Sequence, residues 1–106
     1  MARPLGAATT AILAAIRSRA RYGLDIADQT GLLQGTVYTT LRRLERRGLV
    51  AARWEDPAFA EAERRPRRRY YELTPVGQTE LDRAVERLDG LVGGLGLRLA
   101  ANERDA

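Results

Sequence analysis

"TVYTTLRRLERRGLV", Thr36 to Val50, decides how this chain is read. On a helix turning 100° per residue, Leu41 and Leu44 fall within about 40° of Val37, forming one apolar stripe. Gly35, Thr39, Arg42 and Arg46 point the other way, with Tyr38 and Arg43 on the two flanks. Such a helix has a dry side to pack against its own protein. Its other side is small near the N-terminus and basic further on, so it can approach an anion closely and then grip it. Gly48 supplies a C-terminal stop. The helix is expected over about 35–47.

Upstream, Ile12, Leu13 and Ile16 give the apolar spacing of a helix over Thr9–Ala20, ending among Arg17, Arg19 and Arg21. After Tyr22-Gly23, Leu24–Thr30 reads as a short second helix with Ile26 and Ala27 inward, stopped by Gly31. Downstream, Leu49–Glu55 alternates as a strand and Pro57 ends it. Arg69–Leu73 supplies a second strand. The alternation places Trp54, Tyr71 and Leu73 in the core. The connecting segment 56–68 is too long for a tight turn, and it is rich in charge. Thr74-Pro75 is a helix start, with threonine as N-cap and proline in the first turn. Leu81, Val85, Leu88, Val92 and Leu95 then recur at heptad spacing, the pattern with which one helix packs along another. Gly90, Gly93, Gly94 and Gly96 weaken its last third.

Composition narrows the function. The 106 residues suit a single domain, and the chain contains neither cysteine nor histidine. Disulfides, thiolate metal sites and histidine acid–base catalysis are therefore excluded. No cofactor or metal is expected. No apolar run approaches the roughly 20 residues of a membrane span, so a soluble, cytoplasmic chain is expected. Every one of the 18 basic residues is arginine, and the net charge is +4. Residues 1–54 carry nine arginines against Asp25, Asp28 and Glu45, a net +6. Residues 55–106 carry nine against eleven acids, a net −2. Positive charge gathered in one part of a chain marks a face that meets a polyanion. Asp25 and Asp28 lack a third group for catalysis, and no enzyme activity is expected.

Three helices, a hairpin and a long helix, in that order, describe a mainly α fold with a small β-hairpin. This is a winged helix-turn-helix with an added C-terminal helix. A helix of ordinary width fits the roughly 12 Å major groove of B-DNA. Gln34, Gly35, Thr36, Tyr38 and Thr39 would lie nearest bases and phosphates, with Arg42 on the backbone. In the wing, Arg64, Arg65, Arg67, Arg68 and Arg69 fill five of six positions around Pro66. Arg64, Arg65, Arg67 and Arg68 are the expected DNA contacts there, entering or straddling the minor groove. Glu55, Asp56, Glu61 and Glu63 just before them are candidate partners for Arg64 or Arg65. A protein-interaction module on the same scaffold is the alternative, and weak salt-insensitive affinity for duplex DNA would distinguish it.

The stretch "YGLDIADQTGLLQGTVYTTLRRLERRGLVAARWE" (Tyr22–Glu55) followed by "RRPRRRYYELTPVGQTEL" (Arg64–Leu81) resembles the PadR family of transcriptional regulators. The carrying motifs are G-T-V-Y before L-x-R-L-E-x-x-G-L, the W-E after the first strand, and the closing R-R-Y-Y-x-L-T-x-x-G. Leu33 stands where many relatives have serine, removing a potential N-cap, and Thr39 stands where many have proline. The resemblance implies a homodimeric repressor on a palindromic operator, with one recognition helix per half-site. Residues 1–74 would form the DNA-binding unit and 75–100 the dimerisation helix, through Leu81, Val85, Leu88, Val92 and Leu95. It also implies a possible small-molecule effector of unknown identity, since some relatives release DNA when an aromatic or drug-like ligand occupies the dimer region. One branch stacks that ligand on a tryptophan of the C-terminal helix. Here the sole tryptophan, Trp54, is in the first wing strand.

Overall fold

The computed structural model describes residues 4–105, with side chains described through Gly93. Helices α1 (Ala7–Arg17), α2 (Gly23–Thr30) and α3 (Gln34–Arg46) precede strand β1 (Val50–Trp54). A short helix α4 (Pro57–Ala62), strand β2 (Arg69–Leu73) and a long helix α5 (Pro75–Asp105) complete the order. The fold is mainly helical with one antiparallel hairpin, in which Val50 pairs with Leu73 and Trp54 with Arg69. On the far edge of β2, Tyr22 bridges Tyr70 and the Tyr71 N–H donates to the Arg21 carbonyl at 2.8 Å. The segment between α1 and α2 therefore ties the hairpin to the helices.

The core forms where the amphipathic faces converge. Ile12 and Leu13 of α1, Ile26 of α2, Val37, Leu41 and Leu44 of α3 and Leu81 of α5 are all fully buried. The stripe expected on α3 is the stripe that packs. Each fully buried side chain of this size contributes about 1.5–3 kcal/mol of transfer free energy. That fixes the rotation of α3 about its axis, and with it the direction of every outward residue.

The end of α3 explains the L-E-x-x-G-L motif. Gly48 adopts φ +73°, its N–H donates to the Glu45 carbonyl, and the Leu49 N–H reaches back to the Leu44 carbonyl, both at 3.0 Å. This is a Schellman closure, with buried Leu44 and Leu49 as its hydrophobic contact. A left-handed residue at position 48 suits glycine because it has no Cβ to clash. Turned by that closure, the chain enters β1 at Val50.

The closing T-x-x-G motif has a similar local cause. The Thr74 hydroxyl donates to the Gly48 carbonyl at 2.6 Å and accepts from the Gly77 N–H at 3.0 Å. It thus caps α5 and ties that cap to the end of α3. A Cβ at Gly77 would overlap the Leu49 carbonyl oxygen, so helix and turn approach closer than any side chain permits. An exposed ion pair, Arg17 to Asp82 at 2.6 Å, adds a further link between α1 and α5. Exposed pairs contribute at most about 1 kcal/mol.

Several expectations change. The segment 56–68 is not all loop. Asp56 accepts from the Ala58 N–H at 2.9 Å and Pro57 occupies the first turn of α4, the same cap-plus-proline signal that marks α5. Helix α1 begins at Ala7 and ends at Arg17, earlier than the periodicity places it. Helix α5 runs unbroken through the glycine-rich stretch to Asp105. Trp54 is not a core residue, being 54% exposed. It shares its strand face with buried Val50, but it ends β1 beyond the margin of the core. Tyr71 is buried and Leu73 half-buried against the core.

Gly77→Ala is expected to cost about 2–3 kcal/mol and lower Tm by roughly 10 °C or more, because neither backbone can retreat easily. Thermal unfolding by circular dichroism measures this; an unchanged Tm would remove the contact from the account.

Candidate nucleic-acid interface

With Val37, Leu41 and Leu44 buried, α3 turns Gln34, Gly35, Thr36, Tyr38, Thr39, Arg42 and Arg46 to solvent. These include all six residues expected from the helix. The helix starts from Leu33, whose extended backbone precedes Gln34 and which makes no side-chain cap. Its first-turn N–H groups are therefore not taken by a Leu33 side chain, and they favour a phosphate. Tyr38 is 41% exposed, and its ring lies against Gly23, where a Cβ would strike it. The glycine of the Y-G pair, the first residue of α2, thus makes room for the tyrosine of G-T-V-Y. Arg43 turns back instead, donating to the Thr9 hydroxyl on α1 at 3.3 Å.

The wing is braced from within. Glu55, only 5% exposed, receives Arg65 through both oxygens at 2.6 and 2.8 Å. It also accepts the Tyr70 hydroxyl at 2.7 Å and the Arg68 N–H at 3.4 Å. The Arg65 bonds hold its carboxyl at about 2, against the ordinary 4.5; burial opposes the shift, and Tyr70 and the Arg68 N–H add to it. In return, the Glu55 bond raises the Arg65 guanidinium further above its usual value. The glutamate of the W-E motif and the stretch from Arg65 to Tyr70 are the two halves of this one network.

The five wing arginines occupy different environments. Arg64 is exposed and left-handed, at φ 54°, where α4 closes. Arg65 is committed to Glu55. Arg67 is exposed, with its guanidinium 5.0 Å from the centre of the Trp54 ring. Arg68 is half-buried over Tyr22 at 4.0 Å. Arg69 pairs with Glu45 of α3 at 2.9 Å and approaches Trp54 at 5.1 Å. Cation–π contacts of this kind contribute about 0.5–1 kcal/mol where exposed. Of the four expected wing contacts, Arg64 and Arg67 present guanidiniums to solvent, whereas Arg65 is committed to Glu55 and Arg68 to the Tyr22 ring between α1 and α2.

Between α3 and the wing lies a cleft of about 540 Å³. Its walls combine Tyr22, Tyr38, Trp54 and Tyr71 with arginines from both sides, Arg42 from α3 and Arg67 and Arg69 from the wing. Glu45 is the one acid among the residues that line it, and Arg69 pairs with it. Burial pushes the Tyr71 hydroxyl up from its ordinary value. No local pattern signals this cleft, nor the exposure of Leu24 and Leu33 beside α3, 49% and 80% respectively.

The expected dimer residues divide. Leu81 is fully buried and Val85 packs against the chain's own core, so these two stabilise the fold rather than offering a surface. A small core still has room beside α1 and β2 for the first turns of α5. Leu88 and Val92, with Leu91 between them, are 45%, 63% and 72% exposed, an apolar stripe without a partner among the described residues. The Leu95 side chain lies outside the described residues. Among those residues no helix is long and apolar enough to cross a membrane.

Residues 12–83 match the family model described as the transcriptional regulator PadR-like family. Among solved structures, a PadR family transcription regulator from Clostridium difficile R20291 is similar, with TM-score 0.74 and 24% identity over 89% of this chain and 99% of that one. The PcaV regulator of Streptomyces coelicolor, in complex with its natural ligand, gives TM-score 0.76 and 24% identity over 97% and 69% of the two chains. Bordetella bronchiseptica BpsR, whose DNA binding is regulated by 6-hydroxynicotinic acid, gives 0.69 and 23% over 97% and 81%. At these identities the structural likeness carries the fold. The sequence matches none of the curated proteins searched.

Because the Glu55 carboxyl titrates far below its ordinary value, its contribution to stability is full above about pH 4.5 and is lost as pH falls toward 2. The difference in urea midpoint between the wild type and Glu55→Gln should be constant above pH 5 and shrink below 4.5. A gap that stayed constant down to pH 2 would remove the bracing role.

Proposed function

Because the chain belongs to the PadR-like family of transcriptional regulators, we propose that this DNA-binding regulator is a homodimeric repressor. It reads a palindromic operator through the recognition helix at 35–47 and the wing at 56–68. The observation that carries this reading is the outward stripe of α3, small and polar at Gly35, Thr36 and Thr39 and basic at Arg42, alongside a braced arginine wing. In this reading Gln34, Gly35, Thr36, Tyr38 and Thr39 face base edges and nearby phosphates, and Arg42 holds the backbone. Arg64 and Arg67 supply the outer wing contacts. Arg65 positions the wing from inside and Arg68 holds it against Tyr22, and both reach DNA only at their margins.

The chain divides at Thr74, with 1–74 as the reading unit and 75–100 as the pairing helix. Support for pairing comes from Leu88, Leu91 and Val92, three large apolar side chains exposed along α5. The contact begins near Leu88, one turn beyond the residues that α5 spends on its own core. Two copies joined there carry two recognition helices, and a two-fold protein calls for two-fold DNA.

Arg42→Ala should weaken binding to operator and random duplexes alike and flatten the salt dependence by about one unit of slope, as loss of one phosphate contact requires. Fluorescence anisotropy across a salt series measures it. A loss confined to one operator position would instead make Arg42 a base reader.

Leu88→Asp should yield monomers with weakened operator binding, since it places a charge in the apolar contact. Light scattering reads the mass directly. A dimer mass for the variant would exclude the α5 stripe as the interface.

A further inference from the structure

We infer that Leu33 is a sequence-reading residue of this chain, and that its side chain recognises the C5-methyl group of a thymine in the major groove. The inference rests on the DNA reading above and deepens it. Leu33 is 80% exposed, the highest value among the exposed large hydrophobic residues described. It does nothing for the fold that a polar residue would do less well. As the N-cap of α3 it offers no side-chain oxygen to the first-turn N–H groups, at a position where serine is strongly preferred. Its neighbour Leu32 takes the inward place and packs against the core. Leu33 also stands outside the motifs that carry the family resemblance, so the specificity it confers belongs to this chain.

The turn presents this side chain from a fixed backbone. Gly31 closes α2 at φ +74°, with its N–H on the Ala27 carbonyl at 2.8 Å. The Leu32 N–H donates to the Thr30 hydroxyl at 3.3 Å, and that hydroxyl donates to the Ile26 carbonyl at 2.7 Å. The Leu33 carbonyl accepts from the Val37 N–H at 3.0 Å and so opens the first turn of α3. Continuity with the reading surface identifies what covers the leucine. Exposed Gln34, Gly35 and Thr36 follow it directly, at the end of the helix that lies nearest base edges. The same helix exposes Arg42 and Arg46, neither of which pairs with an acid among the described residues. An apolar protein partner would leave those cations unsatisfied, whereas the phosphates of a duplex satisfy them. A leucine cannot hydrogen-bond a base. The apolar group that base edges present in the major groove is the thymine methyl, and contact with it is the readout left to such a side chain.

The test selects duplexes from a random-sequence library with the full chain. Each thymine of the selected duplex is then replaced in turn by deoxyuridine, which deletes one methyl and keeps the pairing edge. Fluorescence anisotropy reads the affinities. Burial of one methyl corresponds to about a three- to fourfold change, and uracil at the contacted thymine should weaken the wild type by that factor. For Leu33→Ala, the thymine and uracil duplexes should bind equally at that position. Leu33→Ser supplies the missing cap, so it should fold at least as firmly and yet lose the discrimination. Arg42→Ala should weaken both duplexes and keep the ratio between them, as a backbone contact requires. A ratio that survives in Leu33→Ala would overturn the inference, because a merely structural leucine weakens both duplexes alike. A wild type that binds duplex DNA but is indifferent to every thymine methyl, including one that enriches no sequence, would overturn it too. Both of those results leave DNA binding standing. A wild type that binds no duplex even in dilute salt would remove the DNA reading itself, and the leucine contact with it.

Discussion

Glu55 lies where the hairpin leaves the helical core, and the position of the wing depends on how its carboxylate is satisfied. A buried carboxylate without partners is costly, and here two arginine N–H groups, a tyrosine hydroxyl and a backbone amide meet it. The acceptor stands just past β1, and its donors all come from the returning side of the wing: Arg65 follows α4, Arg68 precedes β2 and Tyr70 stands in β2. One charged group therefore closes a long excursion of chain into a defined shape. Without it, 56–68 would be a long, highly charged connection free to sample many conformations.

The same economy governs the arginines. Five guanidiniums in six positions repel one another if left alone. The structure distributes them among a carboxylate, three aromatic rings and the acid of a neighbouring helix. What remains facing solvent is a smaller, directed set beside α3. The burial of Val37, Leu41 and Leu44 aims the helix, and the Glu55 network aims the wing. The two basic surfaces then share one side of the molecule.

Much of this was legible in the sequence, and the exceptions have physical reasons. The stripe on α3, the Gly48 closure and the Thr74-Pro75 start are local, short-range signals, and each appears where the residues place it. Asp56-Pro57 carries the same kind of signal, yet the charge of the segment masked it as loop. Trp54 shows the limit of alternation, which tells which side of a strand a residue takes but not how far the core extends beneath it. The heptad from Leu81 to Leu95 could not reveal where packing on the chain's own core stops, because both uses demand the same apolar spacing. The cleft was invisible because its walls come from α2, α3, β1 and the wing, and only the tertiary fold brings them together.

The Thr74 hydroxyl and the bare backbone at Gly77 join the start of α5 directly to the turn that ends α3. No loop intervenes to absorb motion at that joint. A long rod welded in this way to a reading head acts as a lever: a few degrees of tilt at its distant end swings the head bodily rather than bending the connection. Whatever meets the far portion of the rod therefore sets the aim of the head, and evolution could retune that aim by altering residues far from any nucleic acid.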